Sequence, residues 1–597
     1  MSTATLLVAA LRDPRAVGVR RRLFRQVLSS LLYERAVAVT ERDGTGVVHG
    51  VDDADRTVRY EFTVRRAAGF DRVRVPSVVR RVGADGSAAE ADSLPRFLHE
   101  IAGAVLGGAY PAELARFARE LEETRVKDAL AQHVRAVRGD RLADADHDAL
   151  EGMVTDGHRY HPAYKSRIGF DLDDDLAFGP EFLPRLHPLW LAAHRSIVEV
   201  TASAREAGDL PQPELVRHEL DGAAAASFDA AVRAAGGDPA DHVWVPVHPW
   251  QWREVVWRAF AAELGDGRLV VLGPDPAAFV PTQSIRTLTS REVPARHQLK
   301  LALSITNTST ARGLAPHTVR NAARVSDWLA GLVEDDDHLR DLGVVVLREV
   351  RGVSVVPDEP GRIDTEGTLA ALWRAPLAPR LRPGERAVPM TALTALELDG
   401  TPVIAGWLRE HGAAAWTAAL VGAVALPLVH LLVAHGVACE SHAQNVSVVH
   451  VDGLPRRVVL RDLHDGVRFC RRLLADPGRA PSLEAPPAHH ANRNSFVETE
   501  DPALVTDFLL DAFFFVNLGE VALLLDEHAL LPEARFWSIV AERVDEHVRD
   551  HGTRPFDLFA PTVAVERLAT RRLTPDTEPA LHAVSNPLHR FRPRPLA

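Results

Sequence analysis

The sequence predicts an α+β fold with more than one lobe. The chain has 597 residues, well beyond the roughly 250–300 residues at which a single hydrophobic core stops growing. Helical periodicity, as in Arg20–Tyr33, occurs beside the apolar–polar alternation of strands, as in Thr57–Val64. The last third contains long apolar segments such as Asp507–Leu525, which are typical of buried helices.

Composition excludes several classes of protein. The net charge of -12 argues against nucleic acid as the main partner, because that affinity comes largely from neutralising phosphates. Two cysteines, Cys439 and Cys470, have no metal-like spacing, which suits a reducing compartment. The N-terminus lacks the basic region of a signal peptide. Ala413–Ala434 is long enough for a bilayer, but it contains Pro427 and His430 and is predicted to be a buried core helix. We expect a cytoplasmic protein.

Three regions follow one another along the chain. Residues 1–150 are predicted to be mostly helical, include the amphipathic helix Arg116–Val137 and show no obvious chemistry. Residues 151–375 are predicted to be β-rich and hold three polar motifs. The Pro-rich passage Arg374–Arg386 is predicted to be a linker or the edge of a domain. Residues 376–597 are predicted to be helical, with one hairpin.

The first motif, GHRYHPAYKSRIGF (Gly157–Phe170), concentrates His158, His161, Lys165 and Arg167 within ten residues. Such a cationic segment suits a polycarboxylate. It lacks the ligand spacing of a zinc site. Alone it is weak, because a His-Pro turn with basic neighbours is often a solvated loop.

The next motif, PTQSIRTLTS (Pro281–Ser290), offers two hydroxyls and a guanidinium, from Ser284, Thr287 and Arg286, on a turn between apolar segments. These groups suit phosphate oxygens.

HQLKLALSITNTSTAR (His297–Arg312) alternates as a strand should, with Lys300, Ser304 and Thr306 on one face and Arg312 after it. This face is predicted to bind phosphate or carboxylate; an exposed sheet face is the alternative. Lysine occurs only at positions 127, 165 and 300, so general surface charge is supplied by arginine and a retained lysine is informative.

The stretch GVACESHAQNVSVV (Gly436–Val449) sets four polar side chains between apolar ends. A strand, a turn and a second strand then lead to Asp462, so Asn445 and Asp462 are predicted to lie near the facing ends of a hairpin, close enough to share one ion. Protein kinases hold Mg²⁺ with an Asn and an Asp in the same layout. The alternative is a buried hydrogen-bond network without an ion.

Together the motifs resemble the IucA/IucC-type siderophore synthetases, also called NRPS-independent siderophore (NIS) synthetases. The resemblance covers about residues 95–590 and rests on six motifs in the family's order: GHRYHPAYKSRIGF, VPVHPWQW, PTQSIRTLTS, HQLKLALSITNTSTAR, ESHAQN and LRDLHDG. It implies a hand-like fold with a thumb (1–150), β-rich fingers (151–375) and a helical palm (376–597) whose nucleotide-binding part is kinase-like. It also implies a homodimer.

The resemblance further implies a two-step ligase that uses ATP and Mg²⁺. A carboxylate of citrate, or of a related acid, forms an acyl-adenylate, and an amine or hydroxyl then displaces AMP. The residues implied for ATP are Ser284, Arg286, Thr287, Lys300, Arg312, His442, Gln444, Asn445 and Asp462, of which Lys300, Arg312 and His442 would act in catalysis. Those implied for the acid are His158, His161, Lys165, Thr306 and Arg312, and those for the metal are Asp462, Asn445 and Glu440.

Alternatives remain at this stage. YHPAYKSRIGF and Ala491–Glu498 look most like members that use free citrate, whereas other branches activate α-ketoglutarate or a substituted citrate or succinyl chain. The amine pocket is not readable from the sequence. A kinase-like phosphotransferase explains Asn445, Asp462 and Lys300 but leaves the cationic first motif without a purpose. A protein that only binds acids or iron chelates, without catalysis, would not need Asn445 and Asp462 as a pair of metal ligands.

Overall fold

A computed structural model describes residues 2–156, 159–205, 212–307, 310–357, 364–487, 496–574 and 580–593, with the backbone alone at 212–215 and 310–312. Helices and strands are interspersed along the whole chain, so the mixed fold class is confirmed.

The N-terminal region combines helices with an antiparallel sheet. Helix α2 begins cleanly because the Asp13 side chain accepts the Arg15 N–H and Pro14 occupies the first turn. The region is less purely helical than predicted, since strands with alternating burial form a five-stranded sheet in the order β1-β2-β3-β6-β7. The elements are α1 (Thr3–Arg12), α2 (Pro14–Tyr33), β1 (Thr40–Arg42), β2 (Thr45–Val51), β3 (Thr57–Thr63), β4 (Arg65–Arg66), β5 (Val73–Arg74), β6 (Arg80–Val82), β7 (Ala88–Glu90), α3 (Leu94–Glu100), α4 (Pro111–Arg138) and α5 (His147–Met153).

The middle region is built around two antiparallel sheets. Its main sheet has six antiparallel strands in the order β12-β13-β14-β19-β18-β9, and a three-stranded sheet lies in the order β10-β8-β11. The elements are α6 (Leu172–Phe178), β8 (Leu189–His194), β9 (Val198–Ala202), α7 (Gln212–Glu219), α8 (Gly222–Ala234), β10 (His242–Val247), α9 (Pro249–Gln251), α10 (Trp257–Ala259), α11 (Ala261–Gly265), β11 (Leu269–Pro274), β12 (Val280–Pro281), β13 (Thr287–Thr289), β14 (Gln298–Leu301), β15 (Leu303–Asn307), β16 (Thr310–Arg312), α12 (Pro316–Asp335), α13 (Asp337–Asp341), β17 (Val345–Val346), β18 (Glu349–Val355) and β19 (Ala370–Arg374).

The C-terminal region contains long helices around the predicted hairpin. Strands β22 and β23 pair antiparallel across a turn at Asp452 and Gly453, whose positive φ values of 49° and 80° are those of a tight hairpin turn. The hairpin lies in a four-stranded sheet of order β17-β23-β22-β20. The elements are β20 (Arg386–Pro389), α14 (Ala405–His411), α15 (Ala413–His435), β21 (Val437–Cys439), β22 (Val446–Val451), β23 (Leu454–Leu460), β24 (Val467–Phe469), α16 (Pro502–Glu527), α17 (Glu533–His551), β25 (Thr562–Glu566), β26 (Leu581–Ser585) and α18 (Pro587–Arg590).

Two large cores organise these regions. The larger one joins both ends of the chain: Tyr33 stacks on Phe515 with ring centroids 5.8 Å apart, and Phe70 meets Trp537 edge to face. The second core belongs to the middle region and includes Trp190 and Trp373. The N-terminal region is therefore packed into the C-terminal one by shared apolar burial.

Two helices, α15 and α16, are long and apolar enough to cross a membrane. Burial accounts for their composition, because 72% and 83% of their most apolar windows are enclosed by the rest of the protein. The prediction that Ala413–Ala434 is a core helix is confirmed.

Candidate active site

The loop between α15 and the hairpin is held by its own polar groups. The Asn445 side-chain amide donates to the Glu440 backbone carbonyl at 3.0 Å, and the Arg461 N–H donates to the Asn445 carbonyl at 3.1 Å. Because Val446 pairs with Leu460 in the hairpin, Asn445 lies at the same end of it as Asp462. The predicted proximity of these two residues is confirmed.

Asp462 is the charged centre of this end. Lys300 Nζ and Arg374 Nη1 both donate to its Oδ1, at 2.9 and 2.7 Å. Burial opposes the charge, but the two cations hold the pKa of the Asp462 carboxyl well below its usual range. The residue has φ +59°, and Gly466 packs so tightly that a Cβ there would lie 2.2 Å from the Asp462 carbonyl oxygen. The carboxylate is thus aimed by a constrained turn.

Two oxygens here are left open. Among the residues that the structure describes, neither Asp462 Oδ2 nor Asn445 Oδ1 has a hydrogen-bond partner. Carboxylate and amide oxygens are hard ligands suited to Mg²⁺, which takes one or two protein oxygens beside phosphate and water. Glu440, His442 and Gln444 belong to the same loop as Asn445, and all three are half-buried.

A histidine connects this centre to the six-stranded sheet. His464 Nδ1 lies 2.5 Å from Glu349 Oε1, and His464 Nε2 lies 3.2 Å from Lys300 Nζ. An ammonium only donates, so Nε2 is the acceptor and the ring carries its proton on Nδ1, toward Glu349. One ligand atom each from Glu349, Asp462 and His464 falls within 4.8 Å of the others, which is compact enough for one ion.

The hydroxyl turn lies beside Lys300. Ser284 Oγ accepts the Thr287 N–H at 3.1 Å, so the serine also shapes the turn. Thr287 pairs with Lys300 across β13 and β14, and its buried Oγ1 has no partner among the described residues. Arg286 is half-buried and donates to the Gly313 carbonyl at 2.6 Å. The structure therefore brings Ser284, Arg286 and Thr287 to the strand that carries Lys300.

Glu151 on α5 ties three of these segments together. Its Oε1 forms an ion pair with Arg461 Nη2 at 2.7 Å, and its Oε2 accepts the Gln283 N–H at 3.2 Å. His147 Nε2, one turn earlier, lies 3.0 Å from Ser447 Oγ. Sequence reasoning missed this role, because α5 shows only an ordinary helical pattern.

The first motif differs from its prediction. Lys165 Nζ is buried and donates to Asp128 Oδ1 at 3.0 Å and to the Thr155 carbonyl at 3.1 Å, and it forms an ion pair with Glu181 Oε1 at 3.2 Å. Arg167 is likewise paired, with Asp175 at 2.6 Å and Glu181 at 2.8 Å. Both cations neutralise buried carboxylates inside the fold, so the geometry assigns Lys165 a structural position in place of the predicted contact with the acid.

The other predicted acid ligands are only partly described. Ile168 of the first motif and Thr306 of β15 exchange backbone hydrogen bonds of 2.8 and 3.0 Å, so the two segments predicted to bind the acid do meet. His161 is half-buried, with its carbonyl capping a turn at Tyr164. His158 and the Arg312 side chain, like residues 491–495, lie outside the described part of the chain.

Comparison with known proteins decides the family. Residues 146–395 match the IucA / IucC family, and residues 414–581 match the ferric iron reductase FhuF-like transporter family. A synthase of a carbamoyl-substituted 2-hydroxypropanoate from Staphylococcus aureus (strain NCTC 8325 / PS 47) is 36% identical over 587 residues, covering 96% of this chain and 92% of its own. The chain belongs to the IucA/IucC family of siderophore synthetases.

Two further relatives of this IucA/IucC family member cover it almost completely. A citryl-spermidine/3,4-dihydroxybenzoyl-citryl-spermidine:spermidine ligase from Bacillus anthracis is 34% identical, over 98% of this chain and 96% of the relative. The crystal structure of the petrobactin biosynthesis protein AsbB from Bacillus anthracis str. Sterne superposes with a TM-score of 0.91 at 33% identity, covering 99% and 98% of the two chains. The resemblance predicted from six motifs is confirmed.

An acidic group near the loop of this synthetase was missed by sequence reasoning. Burial, together with the charges of Glu566, Asp507 and Glu440, raises the pKa of the Asp511 carboxyl to about 7. Arg468, whose guanidinium carbon lies 4.1 Å from the Phe508 ring centroid, lowers this pKa by less than each of these raises it. The available signal was an aspartate inside an otherwise apolar helix, α16.

Proposed function

We propose that this synthetase is an ATP-dependent ligase that joins a carboxylate of citrate, or of a related polycarboxylate, to an amine, with release of AMP and pyrophosphate. The observation that carries this is the pair of open oxygens, Asp462 Oδ2 and Asn445 Oδ1, beside the cations Lys300 and Arg374. The full-length relatives support the substrate class, since the Bacillus anthracis ligase is named for citryl-spermidine and spermidine.

The first step joins the acid to the nucleotide. An oxygen of the acid attacks the α-phosphorus of ATP, the bond to the bridging oxygen of pyrophosphate breaks, and an acyl-adenylate forms. Negative charge grows on the phosphate oxygens, and fixed donors aimed at such charge contribute about 3–4 kcal/mol each. Lys300 is held at the site by Asp462 and His464, and Arg312 and His442 are proposed as its companions in catalysis.

The remaining nucleotide contacts follow from the same loop and turn. Ser284, Arg286 and Thr287 would bind phosphate or ribose oxygens from the β13 side, and Gln444 with Asn445 from the hairpin side. Asp462, Asn445 and Glu440 fit Mg²⁺ as hard oxygen donors, with Glu349 next to them. Mg²⁺, when bound, would neutralise phosphate charge.

In the second step the nitrogen of the amine attacks the acyl carbon, the bond to the AMP oxygen breaks, and the nitrogen loses a proton. Most amines are cationic in water at neutral pH, so a nearby negative field favours their approach. Glu440, Asp507 and Asp511 supply such a field beside the loop. His161 and Thr306 are proposed for the acid, where the first motif meets β15.

We further propose the hand-like arrangement for this chain: a thumb at 1–150, fingers at 151–375 and a kinase-like palm at 376–597. The charged centre supports this, because it joins β14 of the middle region to the hairpin of the C-terminal one. A cytoplasmic homodimer is proposed from the family resemblance.

Product analysis tests the function directly. The full chain is incubated with ATP and Mg²⁺ and with citrate, α-ketoglutarate or succinate, with hydroxylamine as a surrogate nucleophile, and the nucleotide products are separated. Pyrophosphate and AMP in equal amounts, formed with citrate, are expected. ADP as the nucleotide product would reject adenylation in favour of phosphotransfer, and a rate independent of every acid would reject acid activation.

A further inference from the structure

A histidine cluster lies outside the active site, where three helices converge. His338 belongs to α13, His430 and His435 to α15, and His547 and His551 to α17. His430 and His547 are buried, and the other three are half-buried. The IucA/IucC chemistry proposed above uses none of them.

Three of the rings converge closely. The ring centroids of His338 and His551 are 4.6 Å apart, as are those of His547 and His551, and His338 and His547 are 5.1 Å apart. One nitrogen from each of the three lies within 4.8 Å of the other two. His547 and His551 are four residues apart on one helix, which places both rings on the same face, the spacing by which helices chelate a metal.

Hydrogen-bond directions fix the protons in the cluster, starting from Asp336. Its Oδ2 accepts His435 Nε2 at 2.8 Å and His430 Nε2 at 3.2 Å. A carboxylate oxygen accepts, so His430 carries a proton on Nε2.

The hydrogen bond between His430 and His547 leaves one nitrogen of His547 without a proton. In a neutral His430 ring with its proton on Nε2, Nδ1 is an acceptor, and His547 Nε2, 3.1 Å away, donates to it. The Nδ1 of a neutral His547 ring then carries only a lone pair, and it has no hydrogen-bond partner among the described residues.

His338 adds a second nitrogen of the same kind. Its Nε2 is buried and has no partner in the described part of the chain. Buried nitrogens without a partner are costly in a fold unless something fills the place.

We propose that His338, His547 and His551 form a binding site for a divalent transition metal such as Zn²⁺. Three imidazole nitrogens and no carboxylate suit Zn²⁺ and its neighbours and disfavour Mg²⁺ and Ca²⁺. At Zn–N distances of about 2.0 Å a tetrahedral ion holds its nitrogens roughly 3.3 Å apart, so binding would draw the three rings together from the 4.8 Å within which their nitrogens lie.

The surroundings match a metal site in a second respect. Ligand histidines usually donate their other N–H to a carboxylate, directly or through a neighbour, and this support fixes the ring and its tautomer. Here His547 donates to His430, which donates to Asp336. The ion would clamp α13 and α17 together beside α15, the helix that runs into the Glu440–Asn445 loop.

The site is tested by titrating Zn²⁺ into the metal-free full chain and measuring the heat of binding by calorimetry. One Zn²⁺ per chain is expected, with Co²⁺ in its place giving the visible absorption of a tetrahedral site. The double variant His547→Ala/His551→Ala should lose at least about a hundredfold in affinity, since losing a supporting residue alone costs about 10–100-fold. His430→Ala should lose about 10–100-fold through lost support. His551→Gln, at a half-buried position, repeats the test with little risk to folding.

Two controls separate this site from other sources of zinc binding. His99→Ala removes an exposed imidazole elsewhere and should leave the affinity unchanged. Asp462→Ala removes the carboxylate of the active-site cluster and should also leave it unchanged. Zinc retained in full by the double variant, or lost with Asp462→Ala, would overturn the proposal.

Discussion

Two clusters of buried basic side chains in this synthetase look alike in the sequence and differ in what they leave open. The charges of Lys165 and Arg167 are paired with carboxylates inside the fold. Asp128, for example, is fully buried, and besides Lys165 it pairs with Arg22 and accepts the Tyr164 hydroxyl. Around Lys300, both cations share one oxygen of Asp462 and leave the other free. The comparison teaches that access, more than charge, separates a ligand site from a structural network: Asp175 Oδ2 and Glu181 Oε1 also lack a hydrogen-bond partner among the described residues, but both residues are buried, whereas Asp462 is half-buried.

The largest expected effect is on stability, from the closed cluster. Lys165→Met removes a buried cation and leaves Asp128 and Glu181 without it, so the free energy of unfolding should fall by about 3–5 kcal/mol. Urea unfolding followed by circular dichroism measures this. If the variant keeps its stability and its half-saturation for citrate rises instead, Lys165 binds the acid as the sequence predicted, and the contrast between the clusters fails.

The next effect is on catalysis, from the open cluster. Asp462→Asn removes the charge that holds Lys300 and Arg374 and the best ligand for Mg²⁺, and pyrophosphate release should fall by about 10²–10³-fold. Asp452→Asn makes the same change at the exposed turn of the same hairpin and should leave the rate unaltered. A loss of less than tenfold in a folded Asp462→Asn protein would show that the open oxygen is not part of the machinery.

A third prediction concerns the positioning of His464. Glu349→Gln keeps the shape but removes the charge beside the ring's Nδ1, so the rate should fall by about 10–100-fold. The Mg²⁺ concentration for half-maximal activity should rise as well, which a purely structural role would not cause. Ser326→Ala removes the other side-chain contact of Glu349, at 3.3 Å, and serves as the control. Equal losses in both variants would assign Glu349 to the core alone.

Local pattern was enough for much of the fold and for one half of the site. The hairpin is encoded by alternation around Asp452-Gly453, so Asn445 and Asp462 were placed together correctly. Residues that join the site only through tertiary contacts could not be predicted from the sequence. Glu349, Arg374 and Glu151 are examples, because they come from distant elements whose own sequences are ordinary. Lys165 shows the opposite error, a residue predicted for the site that lies in the core. The sequence of a short basic motif does not indicate whether its cations face a ligand or a buried carboxylate.

The smallest effect comes from carboxylates that lack the pairing seen around Lys165. The charges of Arg167 and Lys165 outweigh burial and lower the pKa of Glu181 to about 2, whereas burial raises that of Asp511 to about 7. A group whose pKa is raised in the folded state costs stability once it ionises. The cost of Asp511 is therefore absent below about pH 4 and complete above about pH 7.

Asp511→Asn removes that cost, so at pH 8 it should raise the free energy of unfolding by about 1–2 kcal/mol, a value reduced for the partial exposure of the carboxyl, and at pH 5 by much less. Asp507→Asn, at a carboxyl whose pKa burial raises to about 6, should show the same sign with a smaller amplitude. Urea titrations at the two pH values measure both. A stability gain equal at pH 5 and pH 8 would mean that Asp511 is neutralised by a partner, as Glu181 is, and would remove the contrast between open and closed carboxylates. With the gain confined to high pH, a rise in half-saturation for the amine would tie the open carboxylate to the substrate.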